Sequence, residues 1–302
     1  MQTFKTRTSD KRTICAISFE NETDMKAATD KLIEQFKIDG KAHTIQAWSY
    51  MRDIEGDNLD KAKYYGNDVK KYDDAANLLE YGYKKELQTV KASYDGANAA
   101  APCVVKSLHY CGAVPSVGDY LAGRPRDMRR TTTMASDKIL TLYVDTAIHC
   151  NVKAAEAIEA AAKIAGYIGG LEKAGYRINL HAVHIGQQDR NKISFLDLKL
   201  KDARNRANVA RFMFPLCHPS FLRVFGLVHL STNPIIENLG SGHGRPISYT
   251  LKWKETIKAV LPEGAQVVSL QELIDGKNII DQVKEWKAAK PERIEKGQHF
   301  RP

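Results

Sequence analysis

Short apolar runs alternate with longer helical patterns between residues 138 and 290, and this alternation restricts the possible folds more than any other feature of the chain. Short runs rich in β-branched and aromatic residues are typical of buried strands. We predict strands in KILTLYV, YRINLHAVHI, ISFLDLKL, FGLVHLS and AQVVSL. We predict helices in VKAAEAIEAAAKIAGYIGGLEKAG, ARNRANVARFMF and QELIDGKNIIDQVKEWKAA. Strands connected through helices form right-handed crossovers, so we expect an α/β domain with a mostly parallel sheet flanked by helices.

The remaining residues fall into three regions of different composition. Residues 1–100 are predicted as an N-terminal helical or α+β region, with the strand TICAISF and helices in NETDMKAATDKLIEQFKIDG and YDDAANLLEYGYKKELQTVKASY. Residues 101–137 contain three prolines, three glycines and four arginines, and we predict a basic loop region there. Residues 291–302, PERIEKGQHFRP, are predicted as a basic tail. Residues 138–290 then form the α/β domain.

Asp145 stands where the first predicted strand of the α/β domain ends, before a short loop and an alanine-rich helix. With the later segments LEKAGYRINLHAV and FMFPLCHPSFLRVFGLVHL, this order resembles a family of bacteriophage proteins over residues 112–270. The resemblance implies a von Willebrand A-like α/β fold. Metal-binding domains of that fold carry Asp-x-Ser-x-Ser at this loop, because one carboxylate and two hydroxyls supply the oxygen ligands that Mg²⁺ prefers.

The loop after Asp145 departs from that metal-binding pattern. Ala147 and His149 occupy the two serine positions. Alanine supplies no oxygen and imidazole is a poor ligand for Mg²⁺, so we predict that no metal binds here. Asp145 is expected instead to cap the helix that begins near Val152 or to brace the loop.

Length, charge and cysteine content narrow the class of protein. A chain of 302 residues with 43% hydrophobic residues can bury a full core. The sequence has no apolar run long enough for a membrane helix. Its start, MQTFKTRTSDKRT, lacks the apolar core of a signal peptide. We therefore expect a cytoplasmic protein without a membrane partner. Its five cysteines form no CxxC pair and are predicted to be reduced thiols. The formal net charge of +9 favours polyanionic partners.

Several candidate catalytic or metal sites are weak. Cys103, His109 and Cys111 lie close together in CVVKSLHYC but lack the four ligands of a structural zinc site. Cys217 and His218 are adjacent, and adjacent side chains generally point apart, so a nucleophilic dyad is not expected. GSGHGRP has no GK[ST] and is interpreted as a loop. Three further histidines are expected in the core or at the surface: His181, His184 and His229. We therefore predict no enzyme activity and no cofactor.

Basic residues interleaved with aromatics occur in three segments, and this combination is typical of proteins that bind single-stranded nucleic acid. Cations follow the phosphate backbone, and exposed aromatic faces stack on bases. Lys199 to Arg211 is predicted as a basic ridge with Arg204 and Arg211 on one helix face. The predicted nucleic-acid-binding residues are Lys70, Lys71, Tyr81, Tyr83, Lys84, Lys85, Tyr120, Arg124, Arg126, Arg129, Arg130, Lys199, Lys201, Arg204, Arg206 and Arg211.

Size, basic charge and the phage-type sequence are also similar to the single-stranded DNA-binding RNA polymerase cofactors of podoviruses that carry a giant virion polymerase. That resemblance implies a protein that coats single-stranded DNA without sequence preference, self-associates on it and recruits a phage RNA polymerase. The basic tail, PERIEKGQHFRP, departs from the acidic tail by which bacterial single-strand binders recruit partners. Two alternatives stay open. One is a phage adaptor or counter-defence protein that uses the same scaffold for protein contacts, and the other is an enzyme whose site is assembled by the fold.

Overall fold

A computed structural model describes most of the chain. The described residues are 1–8, 11–41, 51–56, 59, 68–96, 104–109, 114–123, 128–133, 139–149, 151–187, 191–205, 207–233, 246, 251–290 and 294–296. The strands are β1 Gln2–Thr8, β2 Thr13–Phe19, β3 Val104–His109, β4 Val114–Pro115, β5 Met128–Thr133, β6 Ile139–Asp145, β7 Arg177–Gln187, β8 Lys192–Lys201, β9 Gln266–Ser269 and β10 Ile294–Lys296. The helices are α1 Glu22–Asp39, α2 Tyr72–Tyr81, α3 Leu87–Gly96, α4 Val117–Leu121, α5 Ala154–Lys173, α6 Val209–Cys217, α7 Leu227–Thr232, α8 Leu251–Val260, α9 Leu270–Ile274 and α10 Ile279–Ala288, with a π-helical turn at Phe221–Gly226.

Seven strands form one mixed sheet in the order β10-β1-β2-β8-β7-β6-β9. The α/β class is confirmed, but the prediction of a mostly parallel sheet is wrong. Three neighbouring pairs are parallel, β2 with β8, β6 with β7, and β6 with β9. The other three are antiparallel, β1 with β10, β1 with β2, and β7 with β8. Strands β7 and β8 are antiparallel because only a short connection joins them, whereas a parallel pair needs a crossover of a dozen or more residues.

Alternate side chains of strand β6 enter different cores on the two faces of the sheet. Leu142 and Val144 pack with the larger cluster, to which α1, α2, α5, α6, α7 and α9 contribute. Tyr143 packs with the smaller cluster, where Trp253 of α8 and Trp286 of α10 cover the sheet. The expected coverage by helices on both faces is therefore present, and it explains why β6 is apolar at nearly every position.

Caps determine the two ends of α1. The Asn21 side chain accepts a hydrogen bond from the backbone N–H of Asp24 at 2.8 Å, which satisfies one of the free donors of the first turn. Gly40 follows the last turn with φ 60°, and its N–H donates to the Phe36 carbonyl at 2.8 Å. A left-handed residue at this position is a common helix end, and glycine adopts it without a steric cost.

Three predicted elements differ from the structure. FGLVHLS, predicted as a strand, belongs to the π-helical turn and α7, because periodicity cannot distinguish a short, fully buried apolar strand from a buried helix. The predicted helix ARNRANVARFMF begins only at Val209, after a turn. The long helical pattern that starts at Tyr72 divides into α2 and α3 at Gly82, which has φ 81°.

The regions proposed at the two ends of the chain contribute strands to the main sheet. Strand β2 pairs with β8, so the N-terminal region and the α/β region share that sheet. Strand β10, from the predicted tail, pairs with β1 at its edge. Within residues 101–137, predicted as a loop region, β3, β5 and β4 form a separate antiparallel sheet.

Candidate functional site

The loop after Asp145 lies at the carboxyl end of β6, the edge of an α/β sheet where ligands usually bind. The buried Asp145 carboxylate accepts hydrogen bonds from the backbone N–H groups of Ala147 and Ile185, each at 3.1 Å. The expected bracing role is thereby confirmed, and the alternative of a helix cap is wrong. Helix α5 begins at Ala154, and the carboxylate at its N-terminus is that of Glu156, which accepts from the Lys153 N–H at 2.9 Å.

Two further hydrogen bonds hold this loop against the sheet and its neighbours. The Thr146 hydroxyl donates to the Val183 carbonyl at 3.1 Å. The His149 N–H donates to Gln271 Oε1 at 2.8 Å, which ties the loop to α9. The backbone from 146 to 149 is therefore anchored on two sides, and its remaining surface forms one wall of an open cleft.

The cleft has a volume of about 700 Å³ and lies between this loop, the first turns of α5, the segment after α2, and the end of α6 with the π-helical turn. Pockets of roughly 300–1,000 Å³ are typical of small-ligand sites. Its lining side chains come from segments far apart in sequence, so only the folded chain creates it. They include Lys85, His149, Lys153, Cys217, His218 and Arg223.

Cationic groups reach the cleft from three segments. Lys85 follows α2, Lys153 immediately precedes α5, and Arg223 lies in the π-helical turn. Two carboxylates, those of Asp68 and Glu86, also line the cleft. Lys85 Nζ lies 3.2 Å from Asp68 Oδ1, but both groups are solvent-accessible, so the pair is weak and exchangeable. The N-terminus of α5 adds partial positive charge, so the cleft favours an anion.

The opposite wall is formed by neutral groups. Burial lowers the pKa of His218 to about 4, and its Nδ1 lies 2.7 Å from the Ser220 hydroxyl. Burial raises the pKa of Cys217 to about 12, and its thiol donates to the Met213 carbonyl at 3.0 Å. A thiol held in its neutral form is a poor nucleophile. The Cys217–His218 pair therefore forms a packed wall of the cleft beside the cations.

Comparison with known proteins identifies a family for this fold. A family model described as a domain of unknown function (DUF7192) matches residues 17–288, which include the whole cleft. The chain belongs to the DUF7192 family. No curated protein and no solved structure matches it.

Within this DUF7192 domain, most of the residues around α2 that were predicted to bind nucleic acid are exposed to solvent. Lys70, Lys71 and Lys84 are exposed, and the Tyr81 side chain is 61% exposed. Tyr83, however, is only 8% exposed, and its ring packs edge-on against His218 at 5.0 Å between centroids. Neighbouring side chains cover most of its ring, so little of it is open to a base, and stacking by Tyr83 remains a prediction. Of this segment's predicted set, Tyr83 and Lys85 line the cleft.

The predicted basic ridge does not exist in the described part of this DUF7192 domain. Lys201 is buried, with its Nζ 2.9 Å from Glu172 Oε1 and 2.9 Å from the Ile178 carbonyl, so it serves the fold. Arg204 lies in a turn, Arg211 in α6, and the two do not share a helix face. The charges of this segment are also paired locally. Lys199 and Arg204 both contact Asp202, Arg211 lies 3.9 Å from Glu22, and Arg206 is outside the described residues.

The predicted arginine loop is only partly described. Arg124 and Arg126 lie outside the described residues, whereas Arg129 and Arg130 lie on β5, opposite Leu108 and Ser107 of β3. Tyr120 lies on α4 and is 67% exposed. Arg129 and Arg130 therefore lie on a strand, whereas a loop was predicted there. Contact between these arginines and nucleic acid remains a prediction.

Sequence reasoning missed three lining residues of the DUF7192 cleft: His149, Lys153 and Arg223. Two of them could have been found, since His149 lies in the loop after a predicted strand and Lys153 lies in the first turn of the predicted helix that follows. Arg223 could not, because the sequence predicted no element at its position, just before the strand predicted in FGLVHLS. The core histidines are confirmed, with His181 Nδ1 2.8 Å from Asp197 Oδ1 and His229 Nε2 2.8 Å from the Thr29 hydroxyl.

The described residues include no group of three or more His, Cys, Asp or Glu side chains arranged to hold a metal ion. Cys103 and Cys111 lie outside the described residues. The segment GSGHGRP also lies outside them, except for Pro246, which forms an isolated antiparallel β-bridge with Gly186. Among the described helices, none combines the length and the apolar composition needed to cross a bilayer.

Proposed function

We propose that this chain binds single-stranded nucleic acid without sequence preference, and that the cleft beside the Asp145 loop is the binding site. The observation that carries the proposal is the convergence of Lys85, Lys153 and Arg223 on one cleft of about 700 Å³. The partly exposed apolar side chains of Ile148, Val152 and Leu222, which line the same cleft, support it, because a base can lie against them while cations contact the phosphate. The net charge of +9 adds long-range attraction for a polyanion.

The scaffold for this function is proposed to be a von Willebrand A-like domain of a bacteriophage protein, one that works without a metal. The order of β6, the Asp145 loop and α5, with β7 and β8 following, supports the scaffold. The position of Ala147 supports the absence of a metal, because this residue is fully buried and its side chain has no oxygen to offer.

The test is a titration of fluorescently labelled oligothymidine, and of a duplex of matched length, at about 50 mM and about 200 mM salt. The single strand should bind more tightly, since unstacked bases can reach the wall of the cleft. Each phosphate contact contributes roughly 0.7 to the slope of log affinity against log salt. Lys153→Ala should lower that slope by about this amount.

Lys163→Ala is the matched control, because Lys163 lies on α5 and pairs with Glu159 outside the cleft. The control variant should keep the wild-type slope, and both variants should keep the wild-type melting temperature, since exposed charges contribute little to stability. Equal affinities for single strand and duplex would disprove base stacking in the cleft. An unchanged slope in Lys153→Ala would remove the cleft from the binding surface.

The role as a transcription cofactor rests on the resemblance to podoviral cofactors. Such a protein would coat single-stranded DNA and recruit a phage RNA polymerase while catalysing no reaction of its own. A pull-down of a phage polymerase with and without single-stranded DNA tests this role, and recruitment should require the DNA. Oligoribonucleotides of the same sequence show whether DNA or RNA is preferred.

One observation favours the alternative of a protein adaptor. Helix α4 presents Val117, Tyr120 and Leu121 to solvent, each at least 66% exposed. Three exposed apolar side chains on one face of a short helix are typical of protein contacts. If the adaptor function holds, Val117→Ser with Leu121→Ser should abolish polymerase recruitment in the pull-down while oligothymidine affinity stays unchanged.

A further inference from the structure

A second groove continues from the cleft along the surface between α3 and α5. Its volume is about 680 Å³, and Glu86 and Ile158 line both cavities. The floor of the groove consists mainly of small side chains, including Ala92, Ala162 and Gly166. A strand that passed through the cleft towards α3 would therefore have to continue along this groove.

The groove has the wrong charge for a phosphate backbone. Its lining includes two carboxylates, Glu86 and Glu159, and one cation, Lys163. Lys163 Nζ lies 2.9 Å from Glu159 Oε1, so these two charges offset each other and Glu86 leaves the groove with a net negative charge. Phosphates that left the cleft on this side would meet like charges beside a surface of alanine and glycine, and this repulsion would oppose their binding.

We propose that the cleft holds the end of a nucleic-acid strand, with its terminal phosphate among Lys85, Lys153 and Arg223, and that the interior of a strand does not pass through. This inference rests on the proposed function. A terminal phosphomonoester carries about two negative charges near neutral pH, more than the single charge of an internal phosphodiester. It can therefore use several cations converging on one place, whereas a continuous backbone needs cations spaced along a track.

The experiment compares four unlabelled competitors of one sequence against labelled 5′-phosphorylated oligothymidine. They are a linear strand with a 5′-phosphate, one with a 3′-phosphate, one with two hydroxyl ends, and a covalently closed circle. The strand with the preferred terminal phosphate should compete about tenfold better than the hydroxyl-ended strand, which corresponds to one charge-assisted hydrogen bond. The circle should compete no better than the hydroxyl-ended strand.

Two variants connect this result to the cleft. Lys153→Ala should reduce the preference for the terminal phosphate to near unity, and Lys163→Ala should preserve it. Glu159→Gln should improve competition by the circle, because it removes a carboxylate from the acidic groove. Equal competition by the circle and by the phosphorylated linear strand would overturn the end-binding inference and leave the proposed function intact. If no oligonucleotide binds, the proposed function itself fails.

Discussion

The Asp145 carboxylate accepts a hydrogen bond from the backbone N–H of Ile185 at 3.1 Å, one strand away in the sheet. Strand β6 ends at Asp145, whereas its parallel neighbour β7 continues to Gln187. The carboxylate thus takes the place of a backbone carbonyl and extends the hydrogen-bonded ladder beyond the strand end. Its second bond, to the Ala147 N–H, turns the loop towards the cleft.

Asp145→Ala should destabilise the protein by about 2–4 kcal/mol, because two buried N–H groups lose their acceptor. Asp145→Asn keeps one carbonyl oxygen and should lose less. Urea unfolding measures the loss of stability in both variants.

Added Mg²⁺ should not shift the melting temperature beyond ionic screening, since an ion present at a hundred times its Kd would add about 2.7 kcal/mol to the free energy of unfolding. A shift specific to Mg²⁺ that Asp145→Ala abolishes would establish a metal site.

Two glycines on α5 should respond differently to the same substitution. A Cβ added at Gly169 would lie 2.3 Å from the Tyr94 carbonyl oxygen of α3, whereas one at Gly166 would lie 3.4 Å from the Ser93 carbonyl oxygen. Gly166→Ala should be neutral or stabilising by up to about 1 kcal/mol, because alanine favours the helix. Gly169→Ala should cost about 1–3 kcal/mol by forcing α3 away. Thermal melting of the two variants tests this contrast, and equal melting temperatures would contradict the close approach of the helices.

Glu22 should make the protein less stable as the pH rises. Burial raises the pKa of its carboxyl group, and the nearby Arg211 guanidinium, 3.9 Å away, only partly offsets this. The native state therefore holds this proton more tightly than the unfolded chain, so the contribution of Glu22 to stability falls as the pH rises through its folded pKa. Glu22→Gln should raise the melting temperature at neutral pH and flatten this dependence. Glu34→Gln, at an exposed position of the same helix, is the control and should change neither.

His229 should act in the opposite sense. Burial lowers its pKa from 6.5 to about 4, and its ring packs on Phe19 at 4.7 Å between centroids. The unfolded chain takes up the proton first, so stability should fall as the pH drops below about 6.5 and should level off below about 4. The contribution is about 3 kcal/mol. His229→Gln can keep the bond to Thr29 and should reduce the acid sensitivity measured by urea unfolding between these pH values. An unchanged acid dependence in this variant would contradict the assignment.

Local patterns in the sequence determined the elements whose signals lie within a few residues. Asn21 and Gly40 mark the ends of α1, and the apolar run before Asp145 marks β6. These signals suffice because caps and periodicity depend on contacts along one helix or one strand. The α/β class follows from the same information, since strands that alternate with helices must bury both faces of a sheet.

Only the tertiary structure decided how the charges are used. Lys201 and Lys153 are both lysines beside a strand or helix end, but Lys201 is buried against Glu172, whereas Lys153 faces the cleft with Lys85 and Arg223. The direction of β8 was also undetermined, because one apolar run fits a parallel or an antiparallel neighbour. The physical reason is the same in both cases. A side chain's partner and a strand's direction depend on residues distant in sequence, and local periodicity contains no information about them.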